Sequence, residues 1–124
     1  MDYYYYLRYD KDSYKEWENI LDILSVPETY FWREADQIKA LVDIIVPEHY
    51  RNYGCEPIRI WSAACASGEE PFTIAMELNE AGWFGRLPIE IQASDGSRKA
   101  VEKAKEGLYR ERAFRNIPAE LKEK

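Results

Sequence analysis

Apolar positions recur along this chain with two periods, and the point where the period changes divides it. Tyr14, Trp17, Leu21 and Leu24 stand at helical spacing behind Ser13-Tyr-Lys-Glu16, which has the spacing of a capping box. They predict a helix over about 13–25, ended by Pro27. A second helix is expected over about 34–46, with Ile38, Leu41, Val42 and Ile45 on one face and Pro47 stopping it. From Pro57 the pattern tightens. "IRIWS" and "IEIQAS" read as short buried strands. Each runs into an amphipathic stretch: "GEEPFTIAMELNEAG", with Pro71 in the first turn and Gly82 past the end, and "SRKAVEKAKEG", closed by Gly107.

Strand, helix, strand, helix in that order implies a parallel pair of strands, the start of a three-layer α/β sheet. Ligands in such sheets sit beyond the carboxyl ends of the strands. That places Ser62 to Glu69 and Ser94 to Gly96 on one rim. Parallel sheets need several strands and cover on both faces, so two strands alone point to a piece of a larger domain. The alternative is a second copy of the chain, a dimer that completes the sheet.

Composition narrows the classes. Hydrophobic residues make up 46% and charged residues 32% of the 124, as in a globular domain. The net charge of −6 argues against nucleic acid as a partner, because phosphate contacts require a basic surface. The charge is uneven: residues 1–30 carry three basic and seven acidic groups, and residues 96–124 carry nine basic and five acidic ones. The uneven spread leaves room for a local basic face near the C-terminus. The start, "MDYYYYLRYDKD", lacks the positive end and aliphatic centre of a signal peptide. No uncharged apolar run approaches the roughly 18 residues of a membrane span. Two cysteines, Cys55 and Cys65, form no disulfide framework and no metal-ligand spacing, which fits a reducing cytoplasmic setting.

"WSAACASGEEP" carries the candidate chemistry. A dinucleotide site would need a G-x-G-x-x-G turn, and this loop offers only Gly68. It also sets Glu69 and Glu70 where phosphate would lie, so Coulomb repulsion opposes phosphate. The small side chains of Ala63, Ala64, Ala66 and Ser67 still let a ligand approach the backbone. Asp95, ending the second strand, stands where acids bind ribose hydroxyls in dinucleotide folds. S-adenosyl-L-methionine, with ribose, ammonium and sulfonium, suits both acids. Against this, Glu69 and Glu70 can serve only to complement the helix dipole, and Asp95 to cap the next helix. No nucleophile–base pair appears. The single histidine, His49, has no link to the loop, and Cys65 reads as a small apolar loop residue.

"WSAACASGEEPFTIAM" closely resembles the first nucleotide-binding motif of the CheR-type protein-glutamate methyltransferases. "ETYFWRE", "IQASDGSRKAVEKAKEGLY" and "YRERAFRNIPAELKEK" are similar to further stretches of that family, in its order. The resemblance covers about residues 28–124. It implies an α/β fold, part of a class I methyltransferase (Rossmann-like) three-layer sandwich with a short N-terminal helical segment. The divisions expected are that segment over 1–33, a linking helix and loop over 34–56, and the first half of the cofactor-binding domain over 57–124. The resemblance also implies methyl transfer from S-adenosyl-L-methionine to glutamate carboxylates of a chemoreceptor or another signalling protein. Carried over singly, Glu69 would contact the methionine ammonium and Asp95 the ribose. Thr29 and Arg33 would lie at the methionine end, and Ala63 would line the cofactor through its backbone. Arg33 is also the candidate catalytic residue, orienting the substrate carboxylate. A glutamate near pKa ~4.3 is already ionised at neutral pH, so no general base is required.

Departures from the family temper this reading. Its N-terminal helical domain is longer and contains a basic helix, whereas the corresponding part here is short and acidic. Pro27 replaces an asparagine often found two residues before the threonine. Later segments that close over adenine, supply an F-C-R-N-type motif and dock on receptors are not among the 124 residues, so weak cofactor binding is expected. A non-catalytic adaptor, with the tyrosine-rich start as its interface, is the alternative function.

Overall fold

A computed structural model describes residues 2–25 and 28–121. Strands β1 (Ile58–Ala63) and β2 (Ile89–Ser94) pair in parallel, Ile58 opposite Ile89 and Ala63 opposite Ser94. Helix α5 (Glu69–Glu80) lies between them in sequence and α6 (Arg98–Glu106) follows. Both strands and both helices fall where the apolar pattern puts them. Ser97 caps α6 by accepting a hydrogen bond from the Ala100 N–H at 3.2 Å, and Gly107 closes it in the left-handed region at φ 64°.

Alternation along the strands gives the sheet two unlike faces. Ile58, Ile60, Ile89 and Ile91 turn to a core of Ile38, Val42, Val46, Ile74, Leu78, Trp83 and Leu87. Arg59, Trp61, Glu90 and Gln92 on the other face are exposed. Among the described residues, then, helices cover one face of a two-stranded parallel sheet in a mixed α/β fold.

The helix before β1 departs from expectation. It does not stop at Pro47. It runs as α3 (Ala35–Ala40), a wide π-helical turn over Leu41–Ile45, and α4 (Val46–Tyr53). Proline removes an N–H and its ring crowds the carbonyl one turn back. Widening that turn shifts the bonding by one residue, so the Val46 N–H reaches the Leu41 carbonyl. In the same register, the N–H that Pro47 lacks would have met the Val42 carbonyl. That carbonyl instead accepts a hydrogen bond from the buried Trp83 indole N–H at 3.2 Å. A side chain 41 residues away thus allows the helix to continue.

The N-terminal region forms a hairpin of α1 (Tyr3–Tyr9) and α2 (Ser13–Leu24). Sequence reasoning predicts only α2, because a run of tyrosines has no helical bias. α1 is held from outside: the Trp17 indole donates to the Leu7 carbonyl at 3.0 Å, and the Tyr3 hydroxyl donates to Glu16 at 2.7 Å. The capping box is not formed. Asp12 occupies the cap position, Ser13 lies within the helix, and Glu16 is committed to Tyr3. Pro27, expected to end α2, lies outside the described residues; the helix ends at Leu24.

Trp83→Phe tests the continuation through Pro47. It leaves the Val42 carbonyl buried without its partner, so urea unfolding should show a loss of about 1–3 kcal/mol. Unchanged stability would mean that the indole does not support the turn.

Candidate functional site

Five residues link the end of β1 to the start of α5, and their backbone is unusual. Ala64, Ala66 and Gly68 all have positive φ, at 57°, 46° and 94°. For alanine this costs roughly 1–2 kcal/mol per residue, so the loop must be held by its surroundings. The Cys65 N–H donates to the Ser94 carbonyl at 3.0 Å, and the Ala66 N–H donates to Asp95 at 2.8 Å. The Gly68 N–H donates to the Cys65 carbonyl at 2.9 Å. From the far side, the Tyr109 hydroxyl donates to the Ser67 carbonyl at 2.7 Å. Gly68 has no room for a side chain: a Cβ would stand 2.9 Å from that of Ala104 and 3.0 Å from the Tyr109 hydroxyl.

A cavity of about 610 Å³ opens beside this loop at the carboxyl ends of the strands. Thr29, Arg33 and Asp95 line it, as do Ala64 and Ala66 of the loop. These predicted residues come together from segments far apart in sequence. Glu69 does not join them. It is buried at 4% exposure, its carboxylate receives the Ser67 hydroxyl, and it faces a second cavity. Its neighbour Glu70 lines the first cavity and accepts a hydrogen bond from the Ser62 hydroxyl at 2.7 Å. Successive helical residues point about 100° apart, and here the two adjacent acids face different cavities. Ala63 ends β1 and lines neither cavity.

Asp95 serves both turns. One oxygen accepts from Ala66 N–H and the other from Ser97 N–H, each at 2.8 Å. A carboxylate offers about four acceptor sites, so capacity for ligand hydroxyls remains. Arg33 donates to the Glu28 carbonyl and, among the described residues, forms no ion pair with Glu34 or Asp36. Its other donors are available to the cavity.

Asp22 is a lining residue that sequence reasoning missed. It accepts the Ser97 hydroxyl at 2.6 Å and pairs with Lys99 at 3.2 Å, bringing α2 across the cavity. The Ser97 hydroxyl, then Lys99, hold its carboxyl below the usual range. No local signal marks it, because its partners lie 75 and more residues away. Cys65 is buried, and burial followed by the Asp95 charge pushes its thiol up, so it stays a protonated packing residue. Phe31 and Trp32 are core, as expected: Phe31 stacks on Phe114 at 4.5 Å and the Trp32 indole donates to Glu77 at 2.6 Å.

A small-residue loop at the carboxyl end of a parallel strand borders a cavity on which several carboxylates converge, the position where ligands sit in sheets of this kind. The sequence model described as "CheR methyltransferase, SAM binding domain" matches residues 27–124. Among relatives, a protein named chemotaxis protein methyltransferase 2 from Vibrio cholerae is 39% identical over 94% of this chain and 40% of its own length. Chemotaxis protein methyltransferases from Borreliella burgdorferi and Escherichia coli are 41% and 38% identical, over 83% and 82% of this chain and 38% and 34% of theirs. The chain belongs to the CheR methyltransferase family, and S-adenosyl-L-methionine is the cofactor of its domain. It spans about two fifths of the length of the curated relatives it matches.

Two measurements probe the loop. Gly68→Ala combines left-handed strain with a clash and should cost roughly 2–4 kcal/mol in denaturant unfolding; a neutral result would refute the close packing. Tyr109 concerns pH. Burial, then the Glu69 charge, pushes its hydroxyl up to about 12. The unfolded phenol titrates near pH ~10, so its contribution is complete below that value and is lost as pH rises through the folded value. Thermal melts of wild type should fall across this window, and Tyr109→Phe should flatten the fall while lowering the melting temperature at neutral pH.

Proposed function

We propose that this chain carries the cofactor site of a methyltransferase that modifies glutamate carboxylates of chemoreceptor-like proteins, on a class I Rossmann-like sheet. The observation that carries the reading is the convergence of Thr29, Arg33, Glu70 and Asp95 on one cavity at the strands' carboxyl ends. The residues suit the cofactor. Glu70, in place of Glu69, holds the methionine ammonium, and Asp95 holds the ribose hydroxyls. Ala64 and Ala66, two of the small residues expected to do so, let the backbone lie close.

When bound, the cofactor supplies a methyl group on a cationic sulfur. The residues present do the positioning. Thr29 and Arg33 border the methionine end, and the free donors of Arg33 orient the incoming carboxylate. Asp22, clasped to Ser97 and Lys99, keeps α2 over the cavity and limits water. A carboxylate nucleophile ionised at neutral pH needs no base, which agrees with a site built on orientation and charge.

Saturation-transfer NMR with S-adenosylhomocysteine tests the assignment at the weak affinities expected. Glu70→Gln and Asp95→Ala should each weaken binding about tenfold, the scale of one lost charge-assisted hydrogen bond. Glu69→Gln should bind like wild type and melt at lower temperature. Binding indifferent to Glu70 and Asp95 would overturn the reading.

A further inference from the structure

A second cavity, of about 680 Å³, adjoins the first, and the two share Glu28, Thr29, Ser67 and Lys103. Their charges are opposite in balance. Asp22, Glu28, Glu34, Glu70 and Asp95 outnumber the bases around the first. Around the second, Lys103, Arg110, Arg112 and Arg115 face only Glu28 and Glu69. Of those two acids, Glu69 is buried and engaged by Ser67, and Glu28 stands 3.8 Å from Arg115. Among the described residues, Lys103, Arg110 and Arg112 are exposed and have no ion-pair partner. Unpaired cations gathered around a concavity, in a chain of net charge −6, are a local reversal of the molecule's field.

We infer that this basic cleft is the docking site for an acidic polypeptide segment, the stretch of a protein substrate that carries carboxylates around the methyl acceptor. The inference rests on the methyltransferase reading and adds a surface to it. The cleft shares Glu28, Thr29, Ser67 and Lys103 with the first cavity, so a segment held there lies beside the cavity that Arg33 lines. Arg110 and Arg112 present guanidinium groups, which bind carboxylates in a paired, planar fashion. The Tyr30 ring fixes Arg115 by stacking, with the guanidinium carbon 3.6 Å from the ring centroid. The arginines of the cleft would also attract phosphate, so the test includes inorganic phosphate as the competing ligand.

The test uses the whole chain and a fluorescein-labelled peptide of alternating glutamate and alanine, followed by anisotropy at low salt. Wild type should bind it, with affinity falling as salt rises. Arg110→Glu with Arg112→Glu should weaken binding at least ~tenfold, while Arg110→Lys with Arg112→Lys should weaken it less. A lysine–alanine peptide should not bind. Equal binding by wild type and the charge-reversed variant, or tighter binding of inorganic phosphate than of the peptide at these residues, overturns the inference. S-adenosylhomocysteine binding, measured on the same variants, should be unchanged. Loss of peptide binding with cofactor binding intact isolates the cleft, whereas absent cofactor binding in wild type is a failure of the parent reading alone.

Discussion

Asp95 is the constraint on which the site depends. Its two oxygens take the Ala66 and Ser97 N–H groups, each at 2.8 Å, and so fix the β1–α5 loop against the start of α6. Without that bridge, two alanines in left-handed conformations would relax toward ordinary backbone. Tyr109 holds the other end of the loop through the Ser67 carbonyl. One carboxylate therefore shapes the cavity and also lines it, a double role in which the acceptor sites left over after tying the backbone are those offered to a ligand. This explains why the capping and ligand readings of Asp95 do not compete. Ser97 is the cap of α6, and Asp95 braces the turn before it.

Much of the core was legible in the sequence because period and burial agree there. Both strands, α5 and α6 follow from alternation and helical spacing, with Gly107 closing α6 where the pattern ends. What escaped depended on distant partners. Pro47 reads as a stop by every local rule, yet the Trp83 indole satisfies the carbonyl its missing N–H leaves behind. The capping box at Ser13 likewise yields to a tertiary bond, since Tyr3 claims the Glu16 side chain it would have used.

Most residues expected at the site are brought together by the fold. Thr29, Arg33 and Asp95 line one cavity, but between Glu69 and Glu70 the sequence offers no choice. Both are acidic, adjacent and in the first helical turn. The deciding fact is rotation about the α5 axis, which packing sets: Thr73 and Leu78 are fully buried and fix which side of the helix faces in. Glu69 turns inward, where Ser67 satisfies it, and Glu70 is left at the rim. Burial and the Ser67 hydroxyl satisfy Glu69, whereas Glu70, bonded to the Ser62 hydroxyl, lines the first cavity.

On the proposed reading, the two cavities divide the work between a cationic methyl donor and an anionic acceptor. A cationic donor and an anionic acceptor attract, so bringing them together needs no steering of its own; the difficulty is to keep each in its place until they are aligned. Opposite surroundings accomplish that. An acid-lined cavity favours the cation and disfavours a second carboxylate, while an arginine-lined cleft does the reverse. Glu28, Thr29, Ser67 and Lys103 form the boundary common to both. Arg33 lies on the acidic side of that boundary, tethered to the Glu28 carbonyl, and on the proposed reading it draws the carboxylate across. On that reading selectivity would reside in the arrangement of charge across the boundary, which the loop geometry set by Asp95 helps to fix.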